Sequence, residues 1–283
     1  MEIVMRRARQ PDRENVITVE SKSTPNLSYV PHVWDLFVND TVGEFSVAEM
    51  DGELVGCAKF TVVPDGSAWL ETLRVVPERQ GLGVGKRFYT RFFDNAKKLG
   101  VTTMRMYTGV KNVKSKGLAE RFGFKLAEKF RGAWLPCTPN LSMAPSPLFR
   151  QVTDPERAAS LVMPHSDDWG GFLVMNRTFY KITPELCGDL ASRGMVYTEP
   201  KSGSVVVLGA RFMPKQALHV GLFAGDAEAC LEFAAKQCAG RGAERLYCLF
   251  PLSAAGIQDT LTSSGFQLEP SDFLVMEVHT EDK

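Results

Sequence analysis

Val75-Val76-Pro77-Glu78-Arg79-Gln80-Gly81-Leu82-Gly83-Val84-Gly85-Lys86 is the stretch that decides the fold. A strand-like run ends at Val75, a short loop carries three glycines, and a helical pattern then begins. Phe88, Phe92, Phe93, Ala96 and Leu99 recur at helical spacing, and Gly100 is a suitable stop. Glycines let backbone N–H groups approach a ligand without a Cβ in the way, and a helix start carries partial positive charge. Strand, glycine loop and helix start together make a cradle for an anion such as a pyrophosphate. Lys86 adds charge outside it.

Three nucleotide-binding readings compete for this loop. A Walker A loop needs glycine at 80 and serine or threonine at 87, where the sequence has Gln80 and Arg87. A dinucleotide fold needs its G-x-G-x-x-G in an early βαβ unit. Here antiparallel hairpins come first: Glu44–Glu49, Leu54–Val63 and Trp69–Val75 are strand-like, separated by Asp51-Gly52 and Pro64-Asp65-Gly66. The third reading fits the spacing Gln80-x-x-Gly83-x-Gly85.

Outward from the loop the elements fall into a regular order. Ile3–Ala8 reads as a strand, and Pro11-Asp12 starts a helix to about Glu20. Pro31–Val38 forms a second helix before the hairpins. After Gly100 come a strand over Thr102–Tyr107, a helix over Val113–Phe122 and a strand from Phe124. The order is β-α-α-β-β-β-α-β-α-β.

The loop Gln80-x-x-Gly83-x-Gly85 resembles the Q/R-x-x-G-x-G/A loop of the GCN5-related N-acetyltransferases. Asn112-x-x-Ser115-x-x-Leu118 followed by Gly123-Phe124 resembles that family's N-x-x-A-x-x-L-Y-x-x-x-G-F signature. The resemblance covers roughly residues 3–135. It implies an α/β fold with a mixed, mostly antiparallel sheet, and acetyl-CoA as co-substrate. It also implies that Gln80, Gly81, Leu82, Gly83, Val84, Gly85 and Lys86 meet the CoA pyrophosphate. Leu73, Arg74 and Val75 would pair with the pantetheine arm, and Asn112 would lie near the thioester. Leu70-Glu71-Thr72-Leu73-Arg74-Val75 further resembles a strand of two-domain members such as the histidine N-acetyltransferase-like proteins.

Transfer to an amine needs a neutral nitrogen, since an ammonium has no lone pair, so a general base is useful. Glu71, just before the cofactor-binding stretch and flanked by Trp69, Leu70 and Leu73, is the candidate. The family's tyrosine that protonates the leaving thiolate is absent, because position 119 is Ala119. Tyr107 and Tyr89 are the substitutes to test. Tyr29, His32 and Trp34 lie in the segment that overlies the acceptor in this fold, and are the substrate-contact candidates.

Five prolines between Pro136 and Pro155 disfavour helix and central strand, and read as a linker. The organisation expected is a catalytic acetyl-CoA-binding domain over 1–136, a linker over 137–155, and a second, degenerate copy of the fold over 156–283. The second half repeats the strand-helix-strand-helix pattern with strands over Ala217–Phe223 and Arg245–Phe250 and helices over Asp226–Ala239 and Ser253–Ser263. Gly85 and Gly123 are 38 positions apart, and Asp226 and Gly265 are 39. Gly225-Asp226-Ala227-Glu228 replaces the glycine loop with acids, which suit a helix start but repel a phosphate. That half is not expected to bind CoA.

Lys+Arg and Asp+Glu both number 33, so formal net charge is zero. That argues against a binder of nucleic acid driven by phosphate contacts, and, together with a capping second domain, against an open peptide groove. No apolar run reaches the length of a membrane span. The six cysteines and four histidines show no metal-ligand spacing. The expectation is a cytoplasmic enzyme with reduced cysteines and no metal, acting on a small-molecule amine, with an amino acid among the candidates. A protein N-terminal or lysine acetyltransferase and a CoA-binding sensor without turnover remain as alternatives.

Overall fold

The computed structural model describes residues 2–25, 27–137, 149–254 and 256–282, so the middle of the proline-rich stretch lies outside the described residues. The chain divides into two compact units. The first comprises Met1–Thr108, Asn112–Lys125 and Met276–Lys283, the second Gly109–Lys111 and Leu126–Val275.

In the first unit, β1 (Ile3–Arg7), β2 (Glu44–Met50), β3 (Glu53–Val62) and β4 (Ala68–Val75) pair in sequence order, each antiparallel to the next. β5 (Thr103–Gly109) joins β4 in parallel. Helices α1 (Arg13–Ser23) and α2 (Val30–Val38) lie between β1 and β2, and α3 (Val84–Leu99) between β4 and β5. Alternation along β3 assigns its faces. Gly56 and Phe60 meet Phe88 and Phe92 of α3. The intervening Lys59 lies against Phe37 of α2. The sheet is therefore covered by α3 on one side and by α1–α2 on the other.

α3 follows the expected pattern, burying Val84, Phe88, Tyr89, Phe92 and Ala96 and ending at Gly100 with φ +68°. Leu99, expected on that apolar face, is the last residue of α3 and is 41% exposed. α4 (Val113–Arg121) follows β5.

The next strand, β6 (Lys125–Pro136), does not complete the sheet of its own half. From Leu126 it belongs to the second unit, where Phe130–Pro136 pair antiparallel with β13 (Arg245–Pro251). The last strand, β15 (Phe273–His279), contributes its end to the first unit instead: Glu277 binds Arg105 of β5, and Thr280 N–H donates to Thr102 O. The two halves have exchanged their final strands. Sequence patterning identifies both as strands but is blind to which sheet they join.

The second unit repeats the architecture. β7 (Arg150–Val152), β10 (Val196–Glu199), β11 (Ser204–Gly209) and β12 (Ala217–Ala224) pair in that order, and β12 runs parallel to β13. α5 (Pro155–Val162) and α6 (Pro184–Ser192) precede β10. α7 (Ala227–Gly240) joins β12 to β13, as α3 joins β4 to β5, and α8 (Ile257–Ser263) follows as α4 does, before the short β14 (Gln267–Leu268), which pairs with β6. An insertion separates α5 from α6: a hairpin of β8 (Phe172–Met175) and β9 (Thr178–Lys181). Its turn, Asn176-Arg177, has φ of +48° and +57°, the geometry of a tight type I′ hairpin turn.

The expectation of reduced cysteines is corrected for one pair. Cys137 and Cys238 form a disulfide within the second unit, joining the end of β6 to α7 across 101 positions. No CxxC spacing announces a bridge between residues so distant in sequence. Cys57, Cys187, Cys230 and Cys248 are free and buried. Among the described residues, no helix is long and apolar enough to cross a membrane, and no group of three or more His, Cys, Asp or Glu side chains is placed to hold a metal.

Candidate functional site

Strands β4 and β5 separate early. Their parallel pairing covers Ala68↔Met104 and Trp69↔Arg105 and stops there. The backbone edge from Leu70 to Val75 thereby loses β5 as a partner and is open to another extended chain. A β-bulge sits on this segment, since Thr72 and Leu73 face only Ala58 of β3, and Thr72 has φ +58°. Threonine rarely adopts such a backbone. The Cys57 thiol donates to Thr72 O at 3.7 Å beneath the bulge. Burial pushes that thiol up to about 12, so Cys57 is no nucleophile near neutral pH.

Beyond β4 the loop turns through Gly81 (φ +82°) and Gly83 (φ +93°), conformations that only glycine adopts freely. Gly83 is the N-cap of α3, and no side chain caps the helix there. The first bond of the ladder runs from Arg87 N–H to Gly83 O. The N–H groups of Val84, Gly85 and Lys86 therefore stand outside the ladder at the positive end of the helix dipole. A Cβ at Gly85 would come within 2.9 Å of Leu118 Cδ2, so α4 packs closely on this first turn. The Gln80 amide donates to Val75 O at 3.1 Å and its carbonyl accepts from Lys114 Nζ at 3.4 Å. These contacts tie the loop to the end of β4 and to α4. Arg74 lies beside them, its guanidinium donating to Leu73 O. Asn112 caps α4, its side-chain oxygen accepting from Ser115 N–H at 3.1 Å.

Glu71 occupies the α1–α2 face of β4 and is only 9% exposed. Its Oε1 accepts from the Thr61 hydroxyl at 2.6 Å, and its Oε2 accepts from the Tyr29 hydroxyl at 3.3 Å. Tyr29 is the residue before α2. Its position is fixed by Glu20, whose carboxylate accepts the backbone N–H groups of Tyr29 and Val30. Tyr107 stacks on Trp69 with ring centroids 6.0 Å apart and planes 3° from parallel. Trp69 and Glu71 alternate onto one face of β4, so Tyr107 shares that face.

The remaining expected contacts lie elsewhere. Trp34 is 2% exposed, donates to Gln10 Oε1 and packs edge-on against Phe45. It is a core residue of α2. His32 points to solvent from α2. Tyr89 is buried among Phe92, Phe122 and Phe124, and burial raises its hydroxyl well above the ordinary phenol range. It is a packing residue too. Ala119 is fully buried.

Sequence reasoning missed Thr61, Glu20, the bulge at Thr72 and the Gln80–Lys114 bridge. Thr61 was recoverable: a hairpin through Pro64-Asp65-Gly66 places it diagonally opposite Glu71 on one face. The others depend on backbone geometry or on distant helices.

The second unit repeats the bulge and the early end of the parallel pairing, on β12 against β11 and β13, but not the carboxylate or the uncapped helix start. Trp69 pairs with Arg105, and His219 occupies the matching register opposite Tyr247. β12 carries no carboxylate, and at its bulge the missing Cβ space of Gly221 is filled by Leu173 of the inserted hairpin at 2.8 Å. Asp226 caps α7 with its own carboxylate, which accepts from Ala229 N–H.

The Acetyltransferase (GNAT) family model matches residues 11–124. Among solved structures, a GCN5-related N-acetyltransferase from Sphaerobacter thermophilus is 15% identical, with 98% of this chain and 96% of that chain covered at a TM-score of 0.67. A GCN5-related N-acetyltransferase from Kribbella flavida is 14% identical, with 99% and 73% covered at a TM-score of 0.55. At these identities the likeness is one of fold, and it extends over both halves of the chain. No curated protein matches the sequence.

Proposed function

Since residues 11–124 form an acetyltransferase domain of the GNAT family, we propose that the chain moves the acetyl group of acetyl-CoA onto the amine of a small molecule, an amino acid among the candidates. The observation that carries this reading is the sequence of features along β4: a carboxylate, an open backbone edge, a glycine loop and a helix start. In this reading the N–H groups from Gln80 to Lys86 hold the pyrophosphate, and Leu73–Val75 pair with the pantetheine arm through the edge that β5 leaves. Asn112 lies beside that arm, and Tyr107 walls the acceptor side with Trp69.

Glu71 takes the proton that keeps the acceptor nitrogen from attacking. Both of its oxygens accept hydroxyl hydrogen bonds, which hold the carboxylate in one orientation. The buried, un-ionised Cys57 supports direct attack on the thioester over an acyl-cysteine route. Catalysis belongs to the first half, because β12 of the second carries no carboxylate and Asp226 stands where the phosphate would sit. Zero net charge favours a small acceptor over a protein N-terminus or lysine.

Ala119 favours a second reading, a CoA-binding sensor without turnover. Thiol release from acetyl-CoA, measured with and without pools of amino acids, aminoglycosides, polyamines and peptides, separates the two. Amine-dependent release supports the enzyme and its acceptor class. CoA binding with no release under any pool supports the sensor.

A further inference from the structure

The proton bookkeeping of acetyl transfer leaves one step unassigned. When the tetrahedral intermediate collapses, the C–S bond breaks and the electron pair leaves on sulfur, which needs a proton. Ala119 offers none. Tyr89 is sealed among aromatic rings, and Tyr107 lies flat against Trp69.

We propose that the Tyr29 hydroxyl protonates the departing CoA thiolate and is itself re-protonated by Glu71. The inference rests on the acetyltransferase reading. Its geometric basis is the 3.3 Å contact between the Tyr29 hydroxyl and Glu71 Oε2, together with the clamp that holds Tyr29. Glu20 accepts its backbone N–H, and its ring meets Phe37 edge-on at 6.0 Å. The attacking nitrogen and the leaving sulfur are bonded to the same carbon in the intermediate. The Tyr29 hydroxyl, in contact with the base assigned to that amine, is the proton donor assigned to the sulfur.

The steps balance. Glu71 takes one proton from the ammonium and becomes a carboxylic acid, and the free amine attacks the thioester carbon. Once protonated, Glu71 turns from acceptor to donor, so its hydrogen bond with Tyr29 reverses. On collapse the Tyr29 proton passes to sulfur, and the Glu71 proton passes to the Tyr29 oxygen. Both residues return to their starting forms. The second N–H proton of the nascent amide leaves to solvent, so each turnover of an ammonium acceptor releases one proton. Thr61, on the other oxygen of Glu71 at 2.6 Å, keeps the carboxylate turned so that Oε2 faces Tyr29.

The test uses the full chain and whichever amine in the pools gives the fastest thiol release. Tyr29→Phe keeps the ring and its packing. It should lower kcat by about 10²–10³, within the usual worth of a positioned acid. The KM for acetyl-CoA, the Kd for CoA and the Tm should stay near native values. Replacing Tyr29 by a difluorinated tyrosine acidifies the phenol, and should move the alkaline limb of the kcat–pH profile to lower pH. A purely structural tyrosine would not move that limb. In the Tyr29→Phe, Glu71→Gln double variant, the loss should be close to that of the worse single variant, because the two act as one relay. A Tyr29→Phe variant with kcat within about threefold of native, well short of that worth, overturns the proposal, as does an alkaline limb that stays in place. Absence of amine-dependent thiol release from the native chain instead overturns the acetyltransferase reading, and the relay with it.

Discussion

Replacing Gly83 by Asp puts charge against the pyrophosphate while leaving the fold nearly intact. The residue sits at φ +93°, and the space a Cβ would enter has no atom within 4 Å. The cost of a Cβ is thus conformational, about 1–2 kcal/mol for a left-handed residue. Aspartate at the start of a helix recovers about 0.3–1 kcal/mol from the dipole. The net stability loss is therefore small. Binding should suffer far more: a carboxylate about 5 Å from one unit of phosphate charge, at an effective dielectric of about 20, costs about 3 kcal/mol. That corresponds to at least about a 100-fold weaker Kd.

Gly66→Asp is the matched control. It has φ +80° and equally open surroundings, but lies in the turn before β4, at the end remote from the loop. Calorimetric titration with CoA should show the large loss for Gly83→Asp and native affinity for Gly66→Asp, with similar Tm changes in both. Equal CoA affinity in the two variants would refute the pyrophosphate assignment.

Glu71→Gln should retain CoA affinity, because the backbone donors of the loop are untouched, and should lower turnover by about 10²–10⁴. That deficit should shrink as pH approaches the acceptor's own pKa, and a pH-independent deficit would make Glu71 structural. Buried His219, with Arg177 adding to the effect of burial, has its pKa depressed to about 3 from an ordinary 6.5. The unfolded chain takes up that proton first, so stability falls as pH drops through this window. His219→Phe keeps a ring against Tyr247 and should move the acid-unfolding midpoint to lower pH; an unmoved midpoint would show that other groups govern acid unfolding. The Cys137–Cys238 bridge closes a long loop, worth about 4–5 kcal/mol on chain-entropy grounds. Reductant should lower the native Tm by the same amount as Cys238→Ala, and should not lower the variant's further.

Much of this molecule is legible because its signals are local. The glycine loop, the stop at Gly100 and the strand-helix-strand-helix repeat in the second half all follow from neighbouring residues. What escaped depends on pairing across distance. β6 and β15 read as strands, yet nothing in either run tells that β6 passes into the second unit from Leu126 or that β15 passes into the first from Met276. The hairpin over residues 172–181 interrupts the repeat, and its turn is Asn-Arg rather than the glycine pair that would have marked it. At the site, Glu71 could be placed from its neighbours, while its partner Tyr29 could be placed only near the acceptor in general. Trp34 looked equally eligible by position, and only packing against Phe45 separates the two. Cys137 and Cys238 carried no spacing that would pair them.

The most direct test of the account follows both products of one reaction. The native chain, acetyl-CoA and the responsive amine pool are combined, free thiol is counted, and acetylated amine is quantified by mass spectrometry. The account predicts equal amounts of CoA thiol and N-acetylated small molecule from the native chain, and neither above background from Gly83→Asp. Tight CoA binding by the native chain with no acetylated amine from any pool would contradict it.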